Sequence, residues 1–200
     1  MRAGCLPAET PREPPNAPVR SFRFLYSHSP PVHFEISHDF DIPRDAVELA
    51  VLSPDLAERM TPRLNGIEHV EQREHALKNG VLERVWSYQA NVKLPRFAER
   101  YVTREMCAWD ERSTYELRNH ASSWTIIPRV KPEWRKFFDA SGTYELLALG
   151  EARTRRVVRG DLELRVSPLF RKVAERMIVA EVRKTFDAEA ATLRDLATLG

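Results

Sequence analysis

The chain is short of the residues that most often carry catalytic or metal chemistry. Its 200 residues include two cysteines, seven glycines and six histidines. Cys5 lies in a proline-rich stretch and Cys107 in an expected strand, so no disulfide framework is foreseen and a reducing cytoplasm is the simplest setting. No glycine-rich turn precedes a helix, which excludes a phosphate-cradling loop and a Rossmann-type cofactor site. There is no Gly-x-Ser-x-Gly elbow, and nothing beside Cys107 would activate a thiol. His28, His33, His38, His69, His75 and His120 lack the spacing that gathers metal ligands, and His33 and His38 fall on opposite faces of one strand. No metal and no cofactor is expected. No stretch approaches the roughly 20 apolar residues of a membrane span, and no apolar core follows Arg2 to make a secretory signal. A soluble, cytoplasmic protein follows, touching membranes at most at their surface. The 31 basic residues nearly cancel 29 acidic ones, so no nucleic-acid partner is expected either.

What is present is arranged in order. Residues 1–31 hold half of the 14 prolines and few apolar residues, which makes a disordered tail the expectation. Its one apolar cluster, Phe22 to Tyr26, fits either packing on the domain or a short docking motif. From Val32 a strand alternates Val32, Phe34, Ile36 and Phe40 inward. Two short helices follow: the first with Asp41 as cap, Pro43 in its first turn and Ala46, Val47, Leu49 and Ala50 inward, the second with Ser53 as cap. Residues 65–127 are dominated by period two, with a hairpin at Asn79-Gly80 and a second one turning at Asp110–Ser113. Further strands end in "GDLELRV", and a helix of nearly 30 residues begins at Pro168. Phe170, Val173, Met177, Ile178, Val182, Phe186, Ala190 and Leu193 form its apolar stripe. The order predicts an α+β domain over residues 32–199. A curved antiparallel sheet of six to seven strands must cover one face, and only the final helix is long enough to do so.

"LPRFAERYVTREMCAWDERSTYEL" and "GDLELRVSPLFRKVAERMIVAEVRKTFDAEAATLRDL" resemble an uncharacterised bacterial branch of the START-like, helix-grip superfamily. The shared positions are Leu94, Pro95, Phe97, Ala98, Trp109, Pro168, Glu189 and Arg194. "FEISHDFDIP" also resembles the first strand of the mitochondrial phosphatidic-acid carriers of that superfamily. The resemblance spans about residues 32–197 and implies a sheet wrapped around the last helix. It does not choose among carriers, receptors, cyclases and oxygenase subunits. Two departures are visible: Leu169-Phe170-Arg171 replaces a pair of glycines, and "IPRVKPEWRKFFDAS" lengthens a strand connection.

Candidate chemistry then reduces to the enclosed face. Trp86, Tyr88, Trp109, Tyr115, Trp124 and Tyr144 fall on inward faces, as plain core or as walls of a ligand cavity. Phe170, Val173 and Met177 of the helix would complete those walls. Arg84, on the face of Trp86, would anchor a ligand carboxylate or phosphate, and Glu105, on the face of Trp109, would act as a base; the other reading, which the cost of unpaired buried charge favours, puts each near a strand end that reaches water. In "PRVKPEWRKFF", Arg129, Lys131, Arg135 and Lys136 surround Trp134, Phe137 and Phe138, which suits an anionic membrane interface or a short helix packed on the sheet. Three functions remain: a carrier of an apolar or amphipathic small molecule, plausibly a lipid; an enzyme acting on an aromatic or polyketide-type substrate in the same hollow; or a packed interaction domain with no cavity.

Overall fold

The computed structural model describes residues 30–91 and 107–199. Strand β1 (Val32–Phe40) leads to helices α1 (Arg44–Leu52) and α2 (Leu56–Met60). Six strands then run in succession: β2 (Ile67–Lys78), β3 (Val81–Ala90), β4 (Ala108–Glu116), β5 (Ala121–Pro128), β6 (Phe138–Ala148) and β7 (Thr154–Leu164). A short helix α3 (Pro132–Arg135) lies between β5 and β6, and α4 (Pro168–Leu199) ends the fold. The sheet order is β1-β7-β6-β5-β4-β3-β2, every pair antiparallel. The expected tail and the Leu94–Ala98 segment lie outside the described residues.

Local sequence explains most boundaries. Asn79 and Gly80 both take positive φ, 52° and 76°, the two left-handed positions of a tight hairpin turn. The hairpin expected at Asp110–Ser113 does not form there. β4 runs straight through those residues and the chain turns beyond Glu116, with His120 at φ 51°. Four polar residues in a row imitated a turn, yet two of them face inward. Helix α1 starts at Arg44 with Pro43 as cap, and Asp41 pairs with Arg153 at 3.2 Å rather than capping. Its buried stripe is Val47, Ala50 and Val51, whereas Leu49 is 70% exposed. A residue two positions from Val47 lies about 200° round the helix.

Antiparallel register sorts the inner face into rows. Leu82, Tyr115, Ser122, Tyr144, Val158 and Ile36 form one row from β3 to β1. The next holds Arg84, Ser113, Trp124, Gly142, Gly160 and Phe34, and the one after holds Trp86, Glu111, Ile126, Ala140, Leu162 and Val32. Gly142 and Gly160 face each other because the Trp124 ring lies across them and stacks on Phe34, centroids 6.2 Å apart. A Cβ at Gly142 would strike the Trp124 ring and the Arg159 carbonyl, and one at Gly160 would strike Phe34 and Trp124.

Helix α4 is about 48 Å long at 1.5 Å per residue. Pro168 sits at its start, and no glycine or further proline interrupts it. Its C-terminal half buries Ala188, Ala190 and Leu193, and these small residues let its backbone come close to α1, α2 and β1. Across β3, β4 and β5 the helix backbone does not lie along the strands. Large side chains must bridge the gap. The interior is therefore sealed at one end, where Phe40, Val47, Leu56 and Leu193 are fully buried, and looser at the other. There Trp109, Ile126, Ile178, Val182 and Phe186 are half-buried around the core. Among the described residues no helix is long and apolar enough to cross a membrane.

Gly142→Ala and Gly160→Ala should each cost about 1–3 kcal/mol in urea unfolding, because Trp124 has no room to move aside. An emission spectrum and stability unchanged in both variants would mean that the ring does not rest on these glycines.

Candidate functional site

The inner face carries charge at its centre. Arg84 of β3 and Arg156 of β7 are 4% and 0% exposed, and both turn to Glu189 of α4, itself 5% exposed. Arg156 Nη2 donates to Glu189 Oε2, and Arg84 Nη2 lies 4.0 Å from Glu189 Oε1. Arg84 Nε also donates to Ser113 Oγ at 3.2 Å. The Arg84 guanidinium lies 3.8 Å over the Trp86 ring, and that of Arg156 lies 4.9 Å from Tyr144 and 5.2 Å from Phe186. Cations over aromatic faces recover part of their lost hydration.

A second carboxyl faces this group. Glu111 lies opposite Trp86 on the same face and hydrogen-bonds Tyr88. The residue as a whole is half-buried, but its carboxyl sits deep. Burial raises its pKa to about 7, and Glu189 adds to the rise, while Arg84, Arg156 and the Tyr88 hydrogen bond pull the other way. Burial likewise pushes the Tyr88 and Tyr144 hydroxyls upward. His38 donates or accepts through Nε2 at 2.9 Å from Asp187, and burial lowers its pKa. Lowering by burial, reinforced by Arg84, also applies to His75.

Several donors in this region have no hydrogen-bond partner among the described residues. They are Arg84 Nη1, Arg156 Nε and Nη1, Trp124 Nε1 and the Tyr144 hydroxyl. Buried polar atoms are normally paired, so such a concentration calls for a partner that none of the described residues supplies. A guanidinium has five N–H donors and cannot shed its charge.

The sequence-derived candidates divide as follows. Arg84, Trp86, Tyr88, Trp124 and Tyr144 meet around the charged group, and Trp109 stacks on Tyr88 at 5.2 Å. Tyr115 is inward but committed: its hydroxyl donates to Glu48 Oε1 at 2.5 Å, where His120 also lies 2.8 Å away, tying α1 to the sheet. Val173 and Met177 are 58% and 46% exposed and so do not line the interior. Relative to Phe186 they stand about 140° and 180° round the helix, and Ala174, Ile178 and Val182 take the inward position instead. Glu105 is outside what the structure describes, as are the side chains of Phe170 and Trp134. Lys131, Arg135 and Lys136 are exposed, and Arg129 lies 3.9 Å from Asp110. Phe137 is half-buried beneath Lys136 Nζ at 5.2 Å, while Phe138 belongs to β6 and packs on the core.

Sequence reasoning missed Glu111, Arg156 and Glu189 as site residues, though period counting could have found all three. Glu111 is two residues from Trp109, Arg156 is in phase with Val158 and Leu162, and Glu189 stands three after Phe186. Arg156 hid in the basic run 153–159. Its neighbours there are spent outward, Arg155 on Asp39 at 2.7 Å and Arg159 on Glu35 and Glu145 at 2.9 and 2.6 Å. Cys107 is a free thiol whose pKa burial raises, and no metal-binding cluster occurs among the described residues.

A curved antiparallel sheet closed by one long helix is the helix-grip fold of the START-like superfamily, and the comparisons agree. The Zhui aromatase/cyclase from Streptomyces sp. R1128 has 17% identity, covering 84% of this chain and 94% of that one, with a TM-score of 0.58. TTHA0849 from Thermus thermophilus has 18% identity over 84% and 98% of the two chains, at 0.55. A norcoclaurine synthase point mutant from Thalictrum flavum, in complex with a transition-state analogue, has 14% identity over 82% and 96%, at 0.53. At these identities the likeness is one of fold. The chain belongs to the family described as "Protein of unknown function (DUF2505)", matched over residues 35–196. No curated protein matches it.

Glu189→Gln should cost about 3–5 kcal/mol in chemical unfolding, since both buried guanidiniums lose their carboxylate; a loss under about 1 kcal/mol would show that the trio is not mutually dependent. Glu111 should titrate near 7 by carboxyl-carbon NMR. Because its folded pKa lies above the ordinary 4.5, its contribution to stability is complete below that value and is lost as pH rises through about 7. Glu111→Gln should remove that part of the pH slope.

Proposed function

We propose that this protein binds an apolar or amphipathic small molecule between the sheet and α4. The observation that carries the reading is the set of unpartnered buried donors, at the point where the sealed half of the core meets the looser one. Small-molecule sites are usually built this way, from mostly apolar walls and a few convergent polar groups. Trp86, Tyr88, Trp109, Trp124 and Tyr144 serve as walls, joined by Ile178 and Val182 of α4, and Arg84 is the polar anchor. A lipid fits the looser end, where apolar side chains outnumber polar ones. The solved relatives support a small-molecule role by analogy of fold: one carries the name aromatase/cyclase, and a norcoclaurine synthase is held with dopamine and hydroxybenzaldehyde.

Glu111 favours a second reading, an enzyme acting on an aromatic or polyketide-type substrate in the same space. A carboxyl with a pKa of about 7 beside a tyrosine is suited to pass protons at neutral pH, and it replaces Glu105 as the acid or base. Under either reading, the exposed Lys131, Arg135 and Lys136 offer a basic surface for an anionic membrane in a cytoplasmic setting.

The neutral dye N-phenyl-1-naphthylamine should brighten on binding the folded protein, and Val182→Trp, which fills the looser end, should weaken that binding several-fold. A folded protein that leaves the dye dark would remove the binding reading. Changing Lys131, Arg135 and Lys136 together to Glu should abolish sedimentation with phosphatidylglycerol vesicles; unaltered sedimentation would remove the membrane surface from this loop.

A further inference from the structure

Resting on the binding reading above, we propose that the ligand is a single-chain amphipathic acid whose carboxylate is held by Arg84, Arg156 and the Tyr144 hydroxyl, and that Glu111 takes up a proton when it binds. Two guanidiniums that cannot be deprotonated share the carboxylate of Glu189, so one positive charge is left over in the interior. An unpaired buried charge is costly, and among the described residues Glu111 is the nearby group able to offset it. The remaining neighbours do not. His38 on β1 and His75 on β2 are bases whose pKa values burial lowers, and Tyr88 and Tyr144 have hydroxyls that burial keeps protonated. Asp187 on α4 is half-exposed and engaged with His38.

Geometry points to a second oxyanion. Arg156 spends Nη2 on Glu189 and leaves Nε and Nη1 open, and Arg84 leaves Nη1 open. Both guanidiniums bracket one carboxylate, and that of Arg156 lies 4.9 Å from the Tyr144 ring, so their open N–H groups and the unpartnered Tyr144 hydroxyl share one neighbourhood of the interior. Charge-assisted pairs of this kind are short and strong, and Arg suits the planar carboxylate best. The head would occupy this centre. The tail would follow Trp124, Phe186, Ile126 and Val182 toward the looser end, where each buried methylene contributes about 0.8 kcal/mol. Glu111 competes with the incoming carboxylate for the same cations. A ligand anion displaces the reason for Glu111 to ionise, and binding is accompanied by proton uptake.

The test compares decanoate, decanol and acetate by titration calorimetry on the full chain, at about pH 6 and about pH 8.5, on either side of the Glu111 midpoint. At the lower pH decanoate should bind at least about tenfold tighter than decanol, and acetate should bind far more weakly than either. At the higher pH the decanoate advantage should shrink, because an ionised Glu111 then holds the guanidiniums. In Glu111→Gln, which leaves the buried Arg–Glu trio intact, the advantage should persist at both pH values. Equal affinity for decanoate and decanol overturns the carboxylate assignment while the binding reading stands. Binding of neither overturns both. A decanoate advantage in the unaltered protein that is the same at both pH values overturns the role of Glu111.

Discussion

The interior is organised around one carboxylate shared by two guanidiniums. Glu189 is the point at which the terminal helix meets the two halves of the sheet, Arg84 reaching it from β3 and Arg156 from β7. Those strands are separated by β4, β5 and β6 in the sheet, so the trio ties α4 to two distant strands at once. A rotation of α4 by one residue, about 100°, would carry Glu189 out of reach of both cations. Charge buried at this depth is a poor source of net stability, but an excellent penalty on every alternative packing.

Around that point the fold divides by side-chain size. Small residues on the last turns of α4 let it close on α1 and β1, whereas Phe186 in its middle meets Trp124 and shares the Arg156 guanidinium with Tyr144. The sheet accommodates the largest of these rings by omitting Cβ atoms at Gly142 and Gly160. Helix α1 is held separately, through Glu48, to Tyr115 and His120. One end of the interior is thus locked twice, and the other retains polar groups without partners. Packing is densest at one end, and the buried polar atoms without partners among the described residues lie beside it.

The course of the strands was legible because period-two alternation is a local property. Val32 to Phe40, the Asn79-Gly80 turn and the inward rows of β3 and β7 all read directly from spacing. The reading failed where polarity was taken as a sign of exposure. Asp110 to Ser113 looked like a turn because all four residues are polar, and Arg156 went unassigned because it stands among the four basic residues of "RTRRVVR". Burial of Glu111 and Arg156 depends on partners in distant strands and in α4, which no local window contains. Most of the apolar stripe of α4 reaches the core as read, in Ile178, Val182, Phe186, Ala190 and Leu193; Val173 and Met177 do not, because an apolar residue near the stripe's edge does not say where the sheet's cover ends.

Alternation along each strand, the turn at Asn79-Gly80 and an unbroken final helix are short-range consequences of residue order. They determined an antiparallel sheet with one helical cover. Which charges meet inside it was decided only when register brought β3, β4 and β7 under α4. Electrostatic pairing at that depth acts between residues some 30 to 100 positions apart in the chain, and such a distance is closed by folding alone.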